Sequence, residues 1–158
     1  MPGAFGLTTP SDLLNKLERE LARLRETPHD VDIAFNFFVT AEQLPDWIHP
    51  GREGKTQREA VRAADVLLQV TSHLASGAKH FDSLSSHHRS VTWSGRGGGW
   101  FGSRFFASRI FSGRYFGRTT LLLTLDGPAA VELGTSITAI DLAERVYAYW
   151  SAPGRVPP

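Results

Sequence analysis

The sequence contains no cysteine, so disulfides, thiolate metal sites and cysteine nucleophiles are excluded. No stretch approaches the roughly 20 consecutive apolar residues that a membrane-spanning helix requires. The opening residues, MPGAFGLTTPSD, have neither a basic start nor an apolar run, which predicts no signal peptide. The expectation is a cytoplasmic protein with no membrane association. Known catalytic signatures are missing as well. GRGGGW lacks the Lys-Ser/Thr that completes a phosphate-binding loop, and no zinc-binding HExxH is present. No G-x-S-x-G nucleophile elbow occurs.

Acids are absent from one long region. Residues 83–125 hold six Arg and no Asp or Glu, whereas residues 1–82 hold 9 Lys/Arg against 12 Asp/Glu. The formal net charge of +1 therefore hides a basic middle between acidic flanks, and such asymmetry says more about partners than the total does.

What is present reads as one domain over residues 1–158, since 158 residues with 41% hydrophobic content can build one core. Thr9-Pro10-Ser11-Asp12 is a helix start, and Leu13, Leu14, Leu17, Leu21 and Leu24 form an apolar stripe over about 10–26. The central stretch is Val31–His49, where Ile33, Ala34, Phe37, Phe38, Ala41, Leu44 and Ile48 recur at helical spacing. Pro45 lies inside it and predicts a bend. A third helix is expected over about 57–76, started by a Thr56/Glu59 capping box and stopped by Gly77. Residues 83–118 read as an irregular or short-repeat Gly/Arg/Phe-rich segment, with Phe at 101, 106, 111 and 116. TTLLLTL at 119–125, the turn signal Asp126-Gly127-Pro128 and Ala129–Leu133 predict a β-hairpin over about 119–133. A last helix over about 139–150 precedes a Pro-rich tail, 152–158, expected to fray. The fold class is α+β, mostly α: about four helices in a bundle with a short antiparallel hairpin before the C-terminal helix.

Two constellations bear on function. Asp46 and His49 share a helix face, and Lys79 and His80 follow the end of the next helix. If those ends meet, the acid could orient an imidazole and raise its basicity, and the ammonium could stabilise developing negative charge. A polar clamp joining two helix ends explains the same residues and is favoured on spacing alone. The second constellation is basic and aromatic. Arg96, Arg104, Arg109, Arg114 and Arg118, with Phe106 and Phe111, are the residue types that neutralise phosphates and stack bases. Packing of the Phe rungs against the helices is the structural alternative. Six histidines do not assemble a ligand set by spacing, so no metal and no cofactor are expected.

FNFFVTAEQLPDWIH and HLASGAKHF resemble segments of a family of small uncharacterised bacterial helical proteins. That family has Asp-Trp near the end of one helix, a Gly-Ala-Lys-His-Phe-like motif at the end of the next, and a late strand pair before a final helix ending in Trp. A more distant likeness is to HEPN-type helical domains, which implies nuclease or toxin activity. Those domains carry Arg and His with four to six residues between them. The nearest pair here, Arg25 and His29, has three residues between. The expected function is a binding or structural module that engages RNA or a protein partner through the basic aromatic segment, with self-association as a further partner. The alternative is a small nuclease-like enzyme using Asp46, His49, Lys79 and His80.

Overall fold

The computed structural model describes residues 5–79, 91–97 and 120–158, with the backbone alone for 77–79 and 91–97. Among the described residues there are six helices, α1 (Pro10–Glu26), α2 (Val31–Ile48), α3 (Lys55–Ala63), α4 (Val66–Lys79), α5 (Gly127–Leu133) and α6 (Ala139–Ser151). Three strands, β1 (Val91–Gly97), β2 (Thr120–Leu125) and β3 (Ser136–Thr138), form one antiparallel sheet in the order β1-β2-β3. The fold is mostly helical α+β with an antiparallel strand pair before the C-terminal helix, as the sequence predicts.

α1 starts on a reciprocal cap. The Thr9 hydroxyl accepts from the Asp12 amide at 3.1 Å, and the Asp12 carboxylate accepts from the Thr9 amide at 2.9 Å, so two orphan donors of the first turn are satisfied. Leu13, Leu17, Leu21 and Leu24 are fully buried. They meet the buried face of α2, which includes Ala34, Phe37, Phe38, Ala41 and Leu44. The Phe37 and Phe38 rings stand edge to face at 5.3 Å, the arrangement that aromatic quadrupoles favour. α2 is capped by the Asp30 carboxylate, which accepts from the Asp32 and Ile33 amides. It continues through buried Pro45 to Ile48. Across the bundle, α6 adds Leu142, Ala143, Val146 and Trp150 to the same core.

Several expectations are corrected. The single helix over 57–76 is two helices. Asp65 interrupts it: its side chain accepts from the Leu67 amide at 2.8 Å and its carbonyl from Leu68 and Gln69. A short acid that serves backbone amides so readily starts a new helix. The first of the two begins at Gly54 with no side-chain cap, so Thr56 and Glu59 form no capping box, and Gly77 lies inside α4 instead of ending it. Ala129–Leu133 is helix α5 and not a strand, because Pro128 opens a helical first turn. β3 takes that place beside β2, with Leu123 opposite Ile137. Finally, Val91–Gly97, expected to be irregular, is strand β1, pairing from Val91 opposite Leu125 to Gly97 opposite Thr120. Along β2, Leu121, Leu123 and Leu125 point into the core while their neighbours do not, which is the strand period. The tail beyond α6 is tied down: the Ser11 hydroxyl donates to the Pro157 carbonyl at 2.9 Å, and Arg155 lies over the Tyr149 ring at 4.2 Å.

Candidate functional site

The end of α2 carries the densest polar cluster among the described residues, and its partners come from α3. Arg58 and Arg62 are four apart and share a helical face. The Arg62 Nε donates to Glu42 Oε1 at 2.5 Å and its Nη2 to Asp46 Oδ2 at 2.7 Å. The Arg58 Nε reaches Asp46 Oδ1 at 2.9 Å. Its Nη1 donates to the carbonyls of His49 at 2.6 Å and Gly51 at 2.7 Å. Arg58 thus satisfies acceptors that the end of α2 leaves open. From α4, the Ser72 hydroxyl donates to Glu42 Oε1 at 3.3 Å. Three helices therefore converge on one carboxylate.

Burial sets the electrostatics. The Glu42 side chain is 20% exposed, that of Asp46 51%. Desolvation pushes the Glu42 carboxyl above its ordinary 4.5, and this outweighs the opposing pull of Arg62 and Ser72. Burial pulls the Arg62 guanidinium down, while Glu42 and Asp46 together carry it above its ordinary value. Because desolvation wins at Glu42, Glu42→Gln should leave stability at pH 7 within about 1 kcal/mol of wild type in urea unfolding. The amide oxygen can still accept from Arg62 and Ser72. A loss of several kcal/mol would refute the ordering of these two effects.

The sequence-derived site residues are placed unevenly. Asp46 is held by two arginines that the sequence reading did not assign to the site. His49 caps α2, its amide donating to the Pro45 carbonyl. Lys79 is the last residue of α4, and His80 lies outside the described residues. The arginine signal was present in the sequence as Arg58 and Arg62, one turn apart and following the acids Glu42 and Asp46, themselves one turn apart. Of the nucleic-acid set, Arg96 sits in β1 opposite Leu121. Arg104, Phe106, Arg109, Phe111, Arg114 and Arg118, and the five-residue repeat, lie outside the described residues.

Among the described residues no three His, Asp or Glu side chains group as metal ligands, and no helix is long and apolar enough to cross a membrane. No family model, curated protein or solved structure matches the chain. Arg23 and His29 have five residues between them, a wider spacing than the three between Arg25 and His29. Arg23 is exposed on α1, and the His29 Nδ1 in the following turn is buried without a partner among the described residues. Arg25 is committed elsewhere, to a two-pronged ion pair with Glu144 at 2.6 and 2.7 Å.

Proposed function

We propose that this protein is a non-catalytic cytoplasmic module that binds single-stranded RNA through its basic aromatic stretch. One observation carries the reading. Gly97 is paired with Thr120 in antiparallel register, so residues 98–119 leave and rejoin the helical body at adjacent backbone positions. That inserted stretch has Arg104, Arg109, Arg114 and Arg118, seven aromatic residues and no acid. Arginine offsets phosphate charge and aromatic rings stack on bases of any sequence, and an insertion anchored at both ends can present them without disturbing the core. The engagement of Asp46 by Arg58 and Arg62 favours a clamp over a catalytic acid.

Replacing residues 98–119 by Asn-Gly, which suits a tight turn between antiparallel strands, should leave the helical circular dichroism intact and abolish binding of a single-stranded RNA. With about four phosphates neutralised, wild-type affinity should fall by roughly 50-fold between 50 and 200 mM salt. Binding that ignores salt, or that survives the replacement, would refute the proposal.

A further inference from the structure

A second basic feature lies on α1, away from the strands. Lys16, Arg19, Glu20 and Arg23 lie along one helical face and, with Phe5 and Leu7 of the preceding segment, line an open surface cavity of about 280 Å³. Lys16 is occupied: its ammonium donates to the Glu20 carboxylate and to the Thr40 hydroxyl at 2.6 Å. Glu20 is 7% exposed, and its second oxygen is buried with no hydrogen-bond partner among the described residues; with Lys16 it makes a floor of no net charge. Arg19 and Arg23 are exposed and have no side-chain partner among the described residues. Two uncommitted guanidinium groups one turn apart therefore set the charge of the cavity at about +2. Beside them, the Phe5 ring stands entirely in water at 105% exposure, and Leu7 is half-buried against the core. An aromatic ring held wholly in solvent gains nothing from burial unless something comes to cover it.

We propose that this cavity binds a small dianion carrying an apolar group, of the aryl or alkyl phosphate class. The phosphate would take paired N–H donors from Arg19 and Arg23, the geometry in which guanidinium recognises phosphate. The apolar group would lie against Leu7 and the ring of Phe5.

Phenyl phosphate titrated into the full-length protein and followed by calorimetry tests this. Saturable 1:1 binding is expected, about ten-fold tighter than inorganic phosphate, which lacks the apolar group. Arg19→Gln and Arg23→Gln should each weaken binding about ten-fold, the loss of one charge-assisted contact. Arg145→Gln, an exposed arginine on α6, and the 98–119 replacement should leave it unchanged. Absence of saturable binding, equal affinity for inorganic phosphate, or equal weakening by Arg145→Gln would overturn the proposal. Loss of binding in the 98–119 replacement would move the site to the basic stretch and overturn it too.

Discussion

Arg62→Ala should destabilise the protein by roughly 2–4 kcal/mol at pH 7, read as a drop in the midpoint of urea unfolding with little change in slope. The substitution removes the main neutralising partner of a carboxylate that folding has already withdrawn from water. Glu42 keeps only Ser72 at 3.3 Å, a neutral donor, and Asp46 on the next turn adds repulsion. Asp46 itself is half in solvent and retains Arg58 at 2.9 Å, so little of the deficit arises there. The exposed pair Lys55–Glu59, 3.7 Å apart on the same helix, is the comparison: Lys55→Ala should change stability by under about 0.5 kcal/mol.

The pH dependence of the Arg62→Ala deficit identifies its source. In the folded wild type the Glu42 carboxyl already lies above its ordinary 4.5. Removing Arg62 deletes the two largest influences that lower it, so the folded value climbs further. An acid whose folded value exceeds its unfolded value binds more protons when folded, and stability then falls as pH rises through the window above 4.5. The deficit should therefore be largest at neutral pH and shrink on acidification toward that value, as Glu42 takes up a proton and ceases to be a buried charge. Arg62→Ala in a Glu42→Gln background should cost much less than in wild type, because no charge is left unpaired. A deficit that is flat in pH and unchanged in that background would assign the loss to packing of the Arg62 stem and not to charge.

Much of the helical frame was legible because it rests on local rules. The leucines of α1 and the aromatic stripe of α2 repeat at helical spacing, and these two helices are opened by Thr9 and Asp30, whose side chains serve the first amides. The failures also have local causes. Asp65 looks like an ordinary solvated position inside a helix, yet the same carboxylate caps α4. Asp126-Gly127-Pro128 satisfies the rules of a turn and of a helix start alike, and the alternation needed to decide is too short in Ala129–Leu133. Val91–Gly97 has two glycines and little apolar character, so its strand state depends on pairing with β2, which no local pattern announces. The polar cluster was half legible. Asp46 could be singled out from sequence, but its arginine partners sit across a loop, and only the path of that loop shows that α3 folds back along α2.

That loop leads to the second large effect. Gly54→Ala should lower the unfolding free energy by about 2–3 kcal/mol, the upper part of the range for forcing atoms into filled space. For a chain of this size that is about 5–10 °C in Tm. On backbone grounds alone the opposite sign is expected. Gly54 has φ −75° and ψ −4°, a conformation open to any residue, and replacing such a glycine ordinarily stabilises by about 0.4–1 kcal/mol through the unfolded chain. Space decides instead. A β-carbon at position 54 would stand 2.2 Å from the His49 carbonyl oxygen and 2.9 Å from Arg58 Nη1. The arginine tip can swing aside, but the oxygen belongs to the backbone that ends α2 and accepts the Arg58 hydrogen bond at 2.6 Å. The loop would have to open, separating α3 from α2 at the point where Arg58 joins them. Adding Arg58→Ala to Gly54→Ala should therefore not restore stability, since the carbonyl remains in the way. Recovery in that double variant, or a stabilised Gly54→Ala, would mean that the two helices are not held this closely.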